Sequence, residues 1–164
     1  MGASPASQAS GRRRVTPSPH AAYPGPVEDA ERRRLVAAAR VARLATADAG
    51  GRPHVVPIVF ALVGDVLWSA VDAKPKTTPR LRRLANVEAT GRASVLVDHY
   101  DDDWAALWWV RVDGSAEVLA ADDPRARDGV DALVAKYPQY QADRPAGPAL
   151  AVRCERWTSW SATP

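Results

Sequence analysis

The sequence predicts a mainly β fold: six antiparallel strands forming a small closed or split barrel, with about three flanking helices. Strand-like apolar runs recur from residue 41 to residue 160. The first three are joined by turns of only a few residues, which antiparallel pairing alone allows. A doubly wound dinucleotide-binding sheet would need a helix after every strand and a GxGxxG turn, and the chain has neither.

Residues 1–26, MGASPASQASGRRRVTPSPHAAYPGP, are rich in Ser, Pro, Ala and Gly and hold almost no bulky apolar side chain. Such a segment cannot bury enough surface to offset its ordering entropy, so it is expected to be a disordered tail ahead of one folded domain, 27–164. VEDAERRRLVAAAR (27–40) reads as a helix, with acids early and arginines later as the helix dipole prefers. VARLATA (41–47) is a short strand and DAGGRP a turn. HVVPIVFAL (54–62) is an apolar strand whose internal Pro57 lacks an N–H and so belongs at a sheet edge or bulge. VLWSAV (66–71) follows as a strand, and a helix starts near Thr77 or Thr78 with Leu81, Leu84 and Ala85 on its buried stripe.

RASVLVD (92–98) is a strand and HYDDDWAA an acidic loop. LWWVRVDGSAEVLA (107–120) is a long strand with a distortion at Asp113–Gly114. A helix over 124–137 opens on Asp122 or Asp123 as cap with Pro124 at its first position. ALAVRCERWTSW (149–160) is the closing strand.

Charge and motif content narrow the function. The net charge of +3 is carried by Arg12, Arg13 and Arg14 in the tail, leaving 27–164 neutral overall. A nucleic-acid binder would show its basic stripe on the folded body, which argues against one here. No apolar run approaches membrane-spanning length, and no secretory apolar core follows the arginines, so a cytoplasmic protein is expected. The single Cys154 allows neither an intrachain disulfide nor a cysteine metal site. GxSxG, HExxH and Walker loops are absent, so no catalytic side chain and no metal site is assigned. His99 beside Asp98 and Asp101–Asp103 has ligand-type residues, but they are neighbours on one loop rather than groups converging from separate elements.

Two features remain. Trp68, Trp104, Trp108, Trp109, Trp157 and Trp160 all fall in the barrel region, and adjacent Trp108 and Trp109 must face opposite sides of their strand. Both sides are therefore expected to be covered, one by the core and one by a partner or ligand. The second feature is AKPKTTPRLRRLA (73–85), five cations with no acid among them. One reading is a water-facing helix, to which Arg80, Arg82 and Arg83 are assigned. The other is an anion site: Lys74, Lys76, Thr77 and Thr78 precede or open a helix, where free N–H groups attract negative charge, just after the strand end Trp68–Ser69–Ala70.

The ordered series RLATADAGGRPHVVPIVFAL, VLWSAVDAKPKTTPRLRRLANVEATGRASVLVDHY, LWWVRVDGSAEVL and ERWTSW, over roughly 35–160, resembles the pyridoxamine-phosphate-oxidase-like split-barrel superfamily. Within it, the series is most similar to the small deazaflavin-dependent oxidoreductases. The resemblance implies an FMN-binding-type split barrel that works as a homodimer with cofactor sites at the interface. It implies coenzyme F-420 as hydride carrier to or from a small organic substrate. FMN in an oxidase-like protein of the same fold, or a non-catalytic cofactor carrier, are the alternatives. Carried over residue by residue, Val56, Pro57 and Ile58 run beside the tricyclic ring, and Ser69, Lys74, Lys76 and Thr77 hold the phosphate. Trp157 and Trp160 border the site from the C-terminal strand, acting across the dimer. His54, His99 and Tyr100 are the proton donors the residues offer. ERWTSWSATP lacks the arginine–histidine pattern of the vitamin-oxidising branch, which argues against pyridoxamine phosphate as substrate.

Overall fold

Alternation in ARLATA and RASVLVDH turns Ala42, Leu44 and Thr46 inward on the first strand and Ala93, Val95 and Val97 inward on its neighbour. The computed structural model describes residues 27–72 and 81–163, in which strands of this kind join into one curled sheet. They are β1 (Ala42–Ala47), β2 (Pro53–Ile58), β3 (Ala61–Val63), β4 (Val66–Ala70), β5 (Arg92–His99), β6 (Trp108–Leu119), β7 (Ala149–Arg153) and β8 (Arg156–Ser161). Around them lie α1 (Asp29–Ala38), α2 (Arg82–Thr90), α3 (Arg127–Lys136) and α4 (Pro138–Ala142), with 3₁₀ turns at Trp104–Ala106 and Pro124–Ala126.

The strand order is β2-β1-β5-β6-β7-β4-β3, every pair antiparallel, with β8 beside β6. The first and last strands of that path are one stretch of chain, bent at Val59–Phe60. The bend joins the two margins of the sheet and makes a split β-barrel, as the sequence predicts.

Two of the six expected strands are each divided. HVVPIVFAL pairs with β1 up to Ile58, turns at Val59–Phe60, and pairs with β4 from Ala61. ALAVRCERWTSW breaks at Cys154–Glu155. Val152 stands opposite Ala116 and Arg156 opposite Asp113, so four steps on one strand face three on the other: a β-bulge. Gly114 lies opposite it, where a Cβ would run into the Arg153 carbonyl, so only glycine lets the backbones approach. The distortion expected at Asp113–Gly114 is thus expressed in the partner strand.

The barrel interior is filled by Leu44, Phe60, Val95, Val97, Val110, Val112 and Val152, all essentially inaccessible to water. α2 closes one end with Leu84 and Val87, and its buried Asn86 donates to the Thr46 hydroxyl at 3.0 Å. Gly91 ends that helix in the left-handed conformation (φ 65°), which glycine adopts without a Cβ clash. α3 begins as expected, with Asp123 accepting from the Arg125 N–H and Pro124 following the cap. Its Gly129 admits the Trp68 ring, which would collide with any Cβ there. α1 spans the split: the Arg33 guanidinium lies 5.0 Å over the Trp157 ring and binds Asp65 in the β3–β4 turn at 2.6 Å.

The Val59–Phe60 bend is held by the end of α3. The Tyr137 hydroxyl accepts from the Phe60 N–H at 3.1 Å and shares its one proton between the carbonyls of Phe60 and Arg40, both at 2.8 Å. Lys136 donates to the Ala39 carbonyl at 2.6 Å, with its ammonium 4.3 Å from the Phe60 ring centre. Burial, with Arg40 adding like charge, lowers the Lys136 pKa to about 8.

Tyr137→Phe strands the buried Phe60 N–H and is expected to cost about 1–3 kcal/mol in urea unfolding. A loss below the error of the extrapolation would show that the bend holds without the hydroxyl. Lys136 gives a pH signature. Its folded pKa of about 8 lies below the ordinary 10.5, so between those values the unfolded chain binds more protons. Stability should therefore rise as pH climbs through that window, after the full burial penalty below about pH 8. Lys136→Met should flatten the rise in urea midpoint, and an unchanged profile would assign it to other groups.

Candidate functional site

Among the described residues β2 pairs with β1 alone, so that within them its other margin carries no ladder. Pro57, which has no N–H to give, is tolerated on such an edge, as the sequence predicts. Val56 and Ile58 face inward on this strand; Val55 and Pro57 face outward, Val55 with 59% of its surface exposed. The strand thus presents apolar side chains beside that margin, which suits the plane and edge of a polar-rimmed ring.

Ser69 sits on β4 opposite Leu150, on the inward side and 7% exposed. The chain then leaves the sheet through Val71, bonded to Pro148 and Gly147, and reaches Asp72. Lys74, Lys76 and Thr77 lie outside the described residues. The chain returns at Leu81, and α2 starts at Arg82.

That start is unusual in its charges. Leu81 makes no side-chain cap, and the first turn holds no acid, only Arg82 and Arg83. Cations there oppose the helix dipole, and the Leu81 carbonyl accepts from the Leu84 and Ala85 N–H groups at 3.0 and 3.2 Å. Arg82 is exposed, as expected. Arg83 is not on a water-facing side: it is half-buried, and burial lowers its pKa while Asp72 and Tyr140 pull the other way. Sequence reasoning missed it; the signal available was a cation in a first helical turn.

Trp157 and Trp160 lie on β8, four strands from β2 across the sheet β2-β1-β5-β6-β8, about 19 Å along it at the usual spacing. Trp157 nonetheless packs on the same core cluster as Val56 and Ile58 of β2. Trp157 faces inward beneath Arg33, and its carbonyl accepts from Arg32 at 3.4 Å. Trp160 faces outward in register with Trp109. Trp108 faces inward and stacks on His99, so the two adjacent tryptophans do point to opposite sides.

The outward face of this sheet carries Val55, Pro57, Ala45, Leu96, Trp109 and Trp160, crossed by the Arg43–Asp98 pair (2.6 Å) and the Arg111–Asp113 pair (3.1 Å). Among the candidate proton donors, His54 is half-buried on β2, while His99 and Tyr100 are exposed. Burial, reinforced by Asp65, pushes the Cys154 thiol up to about 11, which leaves it inert. Among the described residues no three His, Cys, Asp or Glu side chains gather as metal ligands, and no helix is long and apolar enough to cross a membrane.

No curated protein sequence matches the chain. Its fold is similar to that of a conserved hypothetical protein from Mycobacterium tuberculosis, with 21% identity, a TM-score of 0.66, and coverage of 83% of this chain and 86% of that one. It is similar to an FAD-binding protein from Mesorhizobium loti, with 22% identity, a TM-score of 0.60, and coverage of 82% and 93%. It is also similar to a heme storage protein from Vibrio cholerae, with 14% identity, a TM-score of 0.62, and coverage of 81% and 93%. At these identities the likeness is one of fold. The family model described as pyridoxamine 5'-phosphate oxidase matches residues 28–161, every element of the barrel included, and the chain belongs to that family.

Proposed function

We propose that the chain is a flavin-binding oxidoreductase of its family, working as a homodimer with the ring along β2 and the phosphate at the start of α2. The observation that carries this reading is the first turn of α2, which holds Arg82 and Arg83 and no acid and has no side-chain cap from Leu81. A phosphate there offsets two cations that the dipole disfavours and gives the half-buried Arg83 a second anionic neighbour besides Asp72. Ser69, buried at the end of the preceding strand, supplies a hydroxyl on the same approach. Lys74, Lys76 and Thr77, between these two elements in sequence, add charge and donors.

Ring binding rests on the exposed Val55 and Pro57 and on the unpaired margin of β2. The residues fit a flavin for these reasons. When bound, a flavin supplies the hydride chemistry, and the chain orients it and keeps water away. The outward face of the sheet supports the dimer: a two-fold pairing through it would bring Trp160 of one protomer toward β2 of the other. The FAD-binding relative favours a flavin over coenzyme F-420, which offers a similar ring and phosphate. The heme storage relative supports a second reading, a binder without turnover.

Titrating cofactor-free protein with FMN, FAD and F-420 while following tryptophan emission separates these readings. Saturable quenching by FMN or FAD is expected, with Arg83→Gln weakening it about tenfold or more, the loss of one charged hydrogen bond, and with the circular dichroism unchanged. Lys76→Ala should weaken it similarly. Indifference to all three ligands sinks the proposal, tight binding of F-420 alone moves the chain to the deazaflavin branch, and tight flavin binding without reduction of any acceptor favours the binder.

Trp109→Glu tests the dimer. It is expected to give monomers in sedimentation velocity and to lose flavin affinity. A wild-type monomer that binds flavin fully would place the whole site in one chain.

A further inference from the structure

The outer face of the second half of the barrel carries a hollow that the cofactor reading leaves unused. Its floor is set by strand register. Val66 and Arg153 form one row across β4 and β7, with Ser115 of β6 lining the same end, and Trp68, Ala151 and Glu117 form the next row. α3 and the turn Pro124–Ala126 roof only part of this face, over Trp68, Ala149 and Leu119. Beyond that roof lies a cavity of about 390 Å³, bounded by Val66, the edge of Trp68, Ala151, Arg153, Glu117 and Arg125. It exists because the central position of the second row is alanine, so nothing rises from the floor between Trp68 and Glu117.

The charges around it are unequal in their commitments. Arg125 bridges Asp123 at 2.7 Å and Glu117 at 3.1 Å, so its one positive charge is already shared between two carboxylates. Arg153, on the opposite side, has no ion-pair partner among the described residues, and its row neighbour is Val66. Its place is fixed as well. It is the last residue of β7, directly before the bulge that Gly114 allows, and bulges re-aim the side chains beside them. An apolar floor, one unspent guanidinium at the rim and a volume in the ligand range of about 300–1,000 Å³ are the components of a small-molecule site.

We propose that this hollow binds a planar apolar anion, an aromatic carboxylate or sulfonate, with its ring body over Ala151 between Val66 and the Trp68 edge and its charged group on Arg153. A guanidinium offers two parallel donors matched to a carboxylate or sulfonate, which selects such groups over a neutral hydroxyl. The site lies on the far side of the barrel wall from Ser69, since Trp68 and Ser69 point to opposite faces of β4. It is therefore independent of the flavin reading.

The probe is naphthalene-2-sulfonate, followed by calorimetry and saturation-transfer NMR on the full chain, with 2-naphthalenemethanol as its neutral counterpart, each with and without saturating FMN. Saturable binding of the sulfonate is expected, about tenfold or more tighter than the alcohol and weakened to the same degree by Arg153→Gln, with Arg153→Lys intermediate. FMN should leave it unchanged. Ala151→Val should abolish it by raising the floor, and because that position lies within the sheet, the exposed Arg153 variants keep the test decisive if it misfolds. No saturation, equal binding of the alcohol, indifference to Arg153→Gln, or displacement by FMN would each overturn the proposal.

Discussion

The barrel depends on one hydroxyl. At Val59–Phe60 the chain leaves one margin of the sheet and joins the other, so both backbone groups of Phe60 lie in the interior without strand partners there. Tyr137 serves both, and the Arg40 carbonyl besides. A buried donor and acceptor left unpaired would cost more than any single apolar contact gives back, so the bend and the tyrosine are physically inseparable. Because Tyr137 ends α3, the same contact sets where that helix lies over β4, and so where Gly129 receives Trp68.

From this bend and the bulge at Cys154–Glu155 the functional surfaces follow. The bend ends the pairing of β2 with β1 at Ile58, and β2 is left as an open edge. The bulge leaves β8 beside the first half of β6, away from β4, and so opens the split that α1 covers. Arg33 then closes that split at low entropic cost, since one planar group meets Asp65, the Gly64 carbonyl and the Trp157 face together. Among the described residues no helix lies over the outer face from β2 to β8, which carries Val55, Pro57, Leu96, Trp109 and Trp160 beside its ion pairs.

Much of this was legible in the sequence wherever the signal was local. Asp123–Pro124 at the head of α3, the acids first in α1, and Pro57 on an edge strand each follow from what one residue's backbone can or cannot donate. The two bends were not legible. Val59–Phe60 lies in an unbroken apolar run, and its turn is dictated by a tyrosine 77 positions away. Cys154–Glu155 bulges because Gly114, on another strand, admits the Arg153 carbonyl. In the candidate site the same division holds: the helix itself was expected from its apolar stripe, but its start was expected at Thr77 or Thr78 and lies at Arg82, and Arg83 was assigned to water because its helix alone cannot tell that Asp72 and Tyr140 act on it. Trp157 was grouped with Trp160 by proximity in sequence, yet the strand alternation that separates Trp108 from Trp109 also turns these two to opposite faces.

The distribution of reactive groups explains why the family's chemistry must be read from surfaces. The only thiol is pushed to about 11 by burial, and Lys136, whose pKa burial lowers to about 8, is occupied with the Ala39 carbonyl and the Phe60 ring, as part of the clasp. Many of the arginines among the described residues are tied to carboxylates in exposed pairs, each worth little. What remains uncommitted is therefore informative. Cations at the N-terminus of α2 are disfavoured by the helix they begin, with Asp72 the opposite charge acting on Arg83, and this is the ground for the phosphate proposed there. The same reasoning separates Arg153 from Arg125 on the opposite face of the barrel: equal in charge, they differ in whether a carboxylate has already claimed them, and only the unclaimed one can select a ligand.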